Sequence, residues 1–146
     1  DVVHSKKYLD FGRGFYITTF ENQAKKWAVR KGMRQEKTAI VNIYELSEAW
    51  DDFKVLCFEK ENEKWLDFVC ACRKGQPLNK EYDIIIGNVA DDDVFKTVDM
   101  YFRGLWDKEK VLDELRYYKM NNQICIVNQE TLNRLKRAYE VENNGR

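Results

Sequence analysis

The chain has 146 residues, of which 44% are hydrophobic and 14% aromatic, which suits a domain with a buried core and excludes a disordered chain. Its 25 basic and 25 acidic side chains give a formal net charge of zero, so no overall field favours binding to nucleic acid or to an anionic membrane. The sequence shows no apolar run long enough to span a bilayer and no signal-peptide pattern.

The cysteines, the proline and the glycines indicate the redox state and the domain organisation of the chain. The four cysteines show no Cys-x-x-Cys spacing and the chain has one histidine, so we expect reduced thiols in a cytoplasmic protein and no metal site. With a single proline, Pro77, and seven glycines, no linker-like segment divides the chain. Residues 1–146 are therefore predicted to form one domain.

The first predicted elements are a strand over Phe15 to Thr19 and a helix that follows at once, with Thr19 or Asn22 as its N-cap. Gly12 and Gly14 precede the strand and leave room for close approach to the backbone. Tyr16 on the strand and Trp27 on the helix could hold a planar ring between two aromatic faces. The alternative is that both aromatic residues are ordinary core.

The rest of the chain mixes strands and helices without the regular alternation of a doubly wound sheet. A buried strand, Tyr82 to Val89, is predicted from an almost continuous apolar run. In chain order we predict a helix end at Lys31-Gly32, strands over 38–46 and 53–58, a helix over 61–74, the strand over 82–89, helices opening at 90–93 and at Asp107, a strand over 123–127, and a helix over Glu130 to Tyr139.

Two groups of acidic residues stand at predicted helix starts. Residues 91–93 are three aspartates, and carboxylates in a first helical turn complement the positive end of the helix dipole. This explanation is favoured over a metal site, which needs several converging oxygens. Glu130 has the same explanation, and it is also the second choice for a catalytic acid.

Residues 11–18, Phe-Gly-Arg-Gly-Phe-Tyr-Ile-Thr, resemble the Phe-Gly-Lys-Gly-x-Tyr-Phe-Ala segment of diphtheria-toxin-like and poly(ADP-ribose)-polymerase-like ADP-ribosyltransferases. Segments 65–69, 82–92 and 122–126, with Leu132 and Leu135, resemble a bacterial domain family of unknown function. That family is grouped with the ADP-ribosyltransferases and is often found in toxin–antitoxin settings. The resemblance covers most of the chain.

The resemblance implies an α+β fold, a split antiparallel β-sandwich with surrounding helices. It implies a bacterial toxin or effector that transfers ADP-ribose from its substrate NAD to a protein or nucleic acid, with an antitoxin as a further partner. The catalytic residues carried over are Tyr16, Gln123 and His4, and the residues carried over for NAD binding are Gly12, Arg13, Gly14, Phe15, Thr18 and Trp27.

Two positions depart from the pattern of the resembling families. Gln123 stands where those families have a glutamate, and an amide can hydrogen-bond ribose but supplies no charge and no general base. Only seven residues separate His4 from Gly12, a shorter connection than usual. Either His4 is a diverged equivalent of the family histidine, or the first strand lies upstream of residue 1.

Two other functions stay open from the sequence. A catalytically decayed site would leave a partner-binding module of the same fold. Alternatively, the basic residues of the first 34 positions could bind RNA or a nucleotide, with an affinity that falls steeply with salt. The same basic residues are also explained as solvated helix surface.

Overall fold

The computed structural model describes residues 2–46, 50–118 and 121–141. Short 3-10 helices occupy Val2–His4 and Leu78–Glu81. The strands and α-helices, in chain order, are β1 (Phe15–Ile17), α1 (Glu21–Gln35), β2 (Val41–Leu46), β3 (Val55–Cys57), α2 (Glu63–Arg73), β4 (Ile84–Gly87), α3 (Asp92–Phe102), α4 (Lys108–Leu115), β5 (Gln123–Ile126), α5 (Gln129–Leu135) and β6 (Lys136–Val141).

The strands form two sheets. Four of them lie in the order β1-β5-β4-β3, in which only the β3–β4 pair is parallel, and β2 pairs with β6 in a separate antiparallel sheet. In the larger sheet Tyr16 lies opposite Cys125, and Cys125 lies opposite Ile85. The predicted α+β class is confirmed.

The four-stranded sheet is buried on both faces. Ile84 and Ile126 lie on one face and pack against the apolar side of α5. Ile85 and Cys125 lie on the other face, where they share a core with Trp65 of α2. The prediction that the apolar run at 82–89 forms a strand buried on both faces is therefore confirmed for β4.

Helix α1 extends beyond its predicted end. It continues past Gly32 to Gln35, and Glu36 ends it in the left-handed conformation with a φ of 52°. Gly32 serves close packing instead, because a Cβ there would lie 2.7 Å from the carbonyl oxygen of Lys37. The N-cap is Phe20, without a side-chain hydrogen bond, so Thr19 and Asn22 were wrong as predicted caps.

The last predicted helix is shorter than expected. Helix α5 ends at Leu135, and residues 136–141 form β6. Six residues of β6 pair with β2, including Tyr139 opposite Ile43, so a strand here gives the backbone of β2 a hydrogen-bonding partner. The prediction that the helix extends to Tyr139 was therefore wrong, and the side chain of Tyr139 lies outside what the structure describes.

Acidic and amide residues begin three helices, as the sequence indicates. The side chain of Asp91 accepts a hydrogen bond from the Val94 amide at 3.0 Å, and Asp107 accepts one from the Lys110 amide at 2.8 Å. Asn62 does the same for the amide of Trp65 at the start of α2. Each of these caps satisfies an amide that the first helical turn leaves unpaired.

Candidate functional site

A cleft of about 700 Å³ lies between β1, α1 and residues 40–44 at the start of β2. Its volume falls in the range of sites that hold cofactor-sized ligands. Apolar and aromatic side chains dominate the lining, together with the cations Lys25 and Lys31 and the carboxylate Glu21, all from α1. We refer to it as the β1–α1 cleft.

The β1–α1 cleft contains four of the residues predicted to bind NAD or to act in catalysis. Phe15, Tyr16 and Thr18 line it from β1 and the turn that follows, and Trp27 lines it from α1. Among the ring contacts of the described residues none joins Tyr16 to Trp27. The structure therefore brings the two predicted aromatic residues to one cleft without packing them against each other.

The hydroxyl of Tyr16 is committed to the turn that precedes β1. It donates a hydrogen bond to the Gly12 carbonyl at 2.6 Å and accepts one from the Phe11 amide at 3.0 Å. Burial, together with the neighbouring Cys125 thiol, raises the pKa of this hydroxyl above its ordinary value. Tyr16 therefore stays neutral, and its partly buried ring packs against the core that includes Phe11 and Cys125.

The aromatic residue next to Tyr16 joins the two strands that border the cleft. The rings of Phe15 on β1 and Tyr44 on β2 meet edge to face with their centroids 5.2 Å apart. Such a contact adds to the stabilisation that the buried area supplies. It links the two sheets beside the cleft.

Asn122, which the sequence analysis missed, fastens the turn between β1 and α1. Its side-chain oxygen accepts hydrogen bonds from the Thr18 hydroxyl at 2.8 Å and the Thr19 amide at 3.1 Å. Its amide group donates to the Thr19 hydroxyl at 2.7 Å, and its carbonyl accepts from the Gln23 side chain at 2.7 Å. Asn121, one residue earlier, accepts from the Val89 amide at 2.8 Å.

Gln123 follows directly but faces a different region. Its side chain is 3% exposed, and its amide nitrogen donates to Asp10 at 2.9 Å and to the Asn88 carbonyl at 3.4 Å. It is not among the residues that line the β1–α1 cleft. Its catalytic role stays a prediction, and to contact a ribose its amide would have to leave Asp10.

Asp10 is the centre of a buried polar cluster that we define as Asp10, Arg73, Gln123 and the Ala90 amide. The carboxylate of Asp10 forms an ion pair with Arg73 and accepts the Ala90 amide at 2.8 Å. The Arg73 guanidinium also lies 4.0 Å from the centroid of the Phe95 ring. Asp10 is 5% exposed, so these partners replace the water that a carboxylate needs.

The glycine motif serves packing and turn geometry. Gly12 has a φ of +75°, a value that favours glycine, and a Cβ on Gly14 would collide with the Cys125 sulfur. The Arg13 carbonyl accepts a hydrogen bond from the Asn79 side chain at 2.9 Å. None of these three residues lines the cleft, and neither do His4 or Glu130.

The four cysteines are free thiols. Burial raises the pKa of Cys70 to about 11 and the pKa values of Cys72 and Cys125 to about 12. A thiol that stays protonated is a poor nucleophile and metal ligand. Among the described residues no group of three His, Cys, Asp or Glu side chains comes together in a way that could hold a metal ion.

Comparison with protein families identifies one match, to the family described as proteins of unknown function, DUF3990, over residues 1–137. The chain belongs to this family, which confirms the part of the resemblance that concerned a domain of unknown function. No curated protein and no solved structure matches the chain. In the part of the chain that the structure describes, no helix is both long and apolar enough to cross a membrane.

Proposed function

We propose that the protein binds NAD in the β1–α1 cleft and transfers its ADP-ribose to an acceptor, with an ADP-ribosyltransferase-like split sandwich as its fold. The observation that carries the proposal is that Tyr16 and Trp27 line a single cleft of about 700 Å³. These are the two residues that the resemblance assigns to the nicotinamide ring. The cleft also has cations on α1, which suit a pyrophosphate.

The reaction breaks the bond between the nicotinamide nitrogen and the ribose. Nicotinamide leaves with the bonding electron pair, the ribose becomes oxocarbenium-like, and the oxygen or nitrogen of an acceptor then attacks it. The site must hold the nicotinamide flat and fix the ribose against it. Trp27 and Tyr16 supply the first requirement in the proposal, and the Thr18 hydroxyl, oriented by Asn122, supplies a ribose contact.

A developing cation also calls for nearby negative charge. Gln123 supplies none, and the carboxylate of Asp10 is already paired with Arg73 in the buried polar cluster. Glu21 is the carboxylate that lines the cleft among the described residues, and its 3.0 Å ion pair with Lys25 is exposed to solvent. In this proposal Glu21 therefore takes the charge-stabilising role.

The proposal is tested by thermal unfolding of the full chain with and without NAD, with nicotinamide release followed in the same samples. NAD at ten times its dissociation constant stabilises the folded state by about 1.4 kcal/mol. For a chain of this size that raises the midpoint by about 4 °C. Nicotinamide appears even without an added acceptor, because water can take the ribosyl group.

Trp27→Leu keeps apolar bulk but removes the stacking ring, and it is expected to abolish both effects. Trp106→Leu is the matched control, because Trp106 is also half-buried but lies outside the cleft under the Lys110 ammonium group. A midpoint unchanged by 5 mM NAD, or a rise that survives Trp27→Leu, would contradict the proposal. A rise without nicotinamide release would retain binding and remove the transfer step.

A further inference from the structure

Among the strands that the structure describes, two with an unpaired edge border the β1–α1 cleft. Strand β1 is the outermost strand of its sheet, and β2 is paired only with β6 among the described strands. Five consecutive residues of β1 and its turn, 15–19, line the cleft, and so do five consecutive residues, 40–44, leading into β2. Side chains alternate between faces along a strand, so an unbroken run of lining residues means that strand edges face the cleft.

The hydrogen-bond pattern shows which backbone groups of β1 are free. The Phe58 amide donates to the Ile86 carbonyl at 2.8 Å, so the amide and carbonyl of Ile86 point towards β3. Backbone groups alternate in direction along a strand, so those of the residue before it, Ile85, point towards β5. Ile85 therefore bonds to its partner Cys125 across the β4–β5 pair. The amide and carbonyl of Cys125 thus point towards β4 and not towards β1. Tyr16, the residue of β1 opposite Cys125, must therefore direct its own amide and carbonyl away from the sheet.

No hydrogen-bond partner occupies the Tyr16 backbone within the described residues. The amide of Gly14, two residues earlier, points the same way and donates to the Ser5 hydroxyl at 3.0 Å. The outer edge of β1 is thus covered at Gly14 and open at Tyr16. An open strand edge is a template for pairing with another extended chain.

The dimensions of the cleft suit such a chain. One strand residue occupies about 3.3 Å along the chain, 4.8 Å between strands and 10 Å across the sheet, or roughly 160 Å³. A volume of about 700 Å³ therefore holds about four strand residues. A strand in this position presents alternate amides and carbonyls to the two edges, whereas a nucleotide has no comparable repeat.

Charge indicates the composition of that strand. Lys31 lines the cleft, is exposed, and has no carboxylate partner within the described residues. Lys25, six residues earlier, also lines the cleft, but it is paired with Glu21 at 3.0 Å, so Lys31 is the cation whose charge is left uncompensated in the part of the chain that the structure describes. The remaining lining is mostly apolar, with the Trp27 ring from the same helix. We propose that the β1–α1 cleft accepts an extended segment of a partner protein in which apolar residues alternate with carboxylates, and that this segment pairs with the open edge of β1.

The proposal depends on backbone geometry and not on NAD binding. One consequence does rest on the proposed function, namely that the bound strand and NAD exclude each other. A partner that inserts such a strand would then inhibit the protein. This gives the predicted antitoxin partner a specific mode of binding.

The test uses the full chain labelled with ¹⁵N and a capped five-residue peptide that alternates valine and glutamate. With the peptide at millimolar concentration, hydrogen exchange of the Tyr16 amide is expected to slow at least tenfold. The amides of Phe15 and Ile17 serve as internal controls, because β5 already holds them. A Tyr16 exchange rate that the peptide leaves unchanged would overturn the proposal.

Two modified peptides separate strand pairing from loose adhesion. Methylation of alternate peptide nitrogens removes the donors for one edge and is expected to weaken binding at least tenfold, whichever alternate set is methylated. Replacing the glutamates of the peptide by lysine is also expected to weaken binding at least tenfold, because the charge of the peptide is reversed. Methylated peptides that bind as tightly as the unmethylated peptide would show contact through side chains only and would refute the proposed pairing.

A pair of variants locates the site. Lys31→Glu is expected to weaken the valine–glutamate peptide at least fivefold, while Lys26→Glu, an exposed residue of α1 outside the cleft, leaves its affinity unchanged. Equal effects of the two changes would place the peptide elsewhere. Titration with NAD in parallel keeps the two proposals separate, since peptide binding without NAD binding rejects only the proposed function, and the reverse result rejects only strand insertion.

Discussion

The buried polar cluster, which includes Gln123 at the start of β5, and the β1–α1 cleft, which borders the neighbouring strand β1, are organised in opposite ways. In the cluster, Asp10 receives hydrogen bonds or charge from three groups and has almost no contact with solvent. In the cleft, the Tyr16 backbone and the Lys31 ammonium have no protein partner within the described residues. The cluster is thus complete without a ligand, and the cleft has free groups that a ligand can engage.

A substitution of Asp10 is the strongest test of this difference between the buried polar cluster and the β1–α1 cleft. Asp10→Ala leaves the Arg73 charge without its partner and the Ala90 amide without its acceptor, so unfolding in urea is expected to show a loss of about 3–5 kcal/mol. Asp52→Ala is the control, because its 3.6 Å pair with Arg134 is exposed and its loss costs less than about 1 kcal/mol. Equal losses would mean that the cluster does not stabilise the fold.

Gly14 tests how closely the turn before β1 packs on β5. In Gly14→Ala the new methyl group meets the Cys125 sulfur and lies 3.0 Å from the Ile126 carbonyl oxygen, so we expect a loss of about 1–3 kcal/mol in urea unfolding. The double variant with Cys125→Ala should recover part of that loss, because the closest atom is removed. Additive losses in the two variants would show that the sulfur is not the obstacle.

The buried thiol of Cys72 makes the free energy of unfolding depend on pH. Burial, and then the negative charge of Asp10, raise its pKa to about 12, so the folded state keeps a proton that the unfolded state loses near pH 9. The contribution of this thiol to stability is therefore complete below about pH 9 and decreases as the pH rises towards 12, by up to about 1.4 kcal/mol per pH unit.

In Cys72→Ala the free energy of unfolding should decrease less steeply between pH 9 and 11 than in the unmodified protein. Val69→Ala, at another fully buried position of α2, serves as its control, since it lowers stability without removing a titrating group. The assignment fails if both variants decline with pH as steeply as the unmodified protein.

Tyr16 lines the cleft, its hydroxyl bonds the turn that follows Asp10, and it gives the smallest expected effect. Tyr16→Phe removes the hydroxyl that Gly12 and Phe11 share, which should cost about 1 kcal/mol, but it keeps the ring and the free backbone edge. The NAD-dependent rise in midpoint should therefore survive this change. Tyr117→Phe, 83% exposed, should change neither quantity. Loss of the NAD effect in Tyr16→Phe would place the hydroxyl itself in the cleft.

Local signals in the sequence predict most of the secondary structure. Apolar runs and capping residues are enough to place β4, β5 and the starts of α2, α3 and α4, because each depends on neighbours within a few positions. One failure involves a distant partner, since residues 136–141 form a strand because β2 lies beside them. The other is local, since residues 37–39 after the helix pack closely on Gly32, which lies inside it.

The residues of the candidate site also divide into those that the sequence predicts and those that only the fold reveals. Tyr16 and Trp27 are found from motif and spacing, since they lie eleven positions apart in adjoining elements. Gln123 and Asp10 are 113 positions apart, and their hydrogen bond shows only once the fold is known. Asn122 gives no signal in a single sequence beyond its position next to a predicted site residue. Its role depends on contacts more than 98 positions away.

Three successive residues at the start of β5 each hold a different part of the molecule. Asn121 holds the segment after β4, Asn122 the turn before α1, and Gln123 the buried polar cluster. Inserting a single residue immediately after this trio would either shift the three side chains away from their partners or move the following strand by one residue and turn it over. The turn at Gly104, where a Cβ would meet no atom within 4 Å, should by contrast accept added residues. The start of β5 is therefore expected to tolerate a change in length less well than the turn at Gly104.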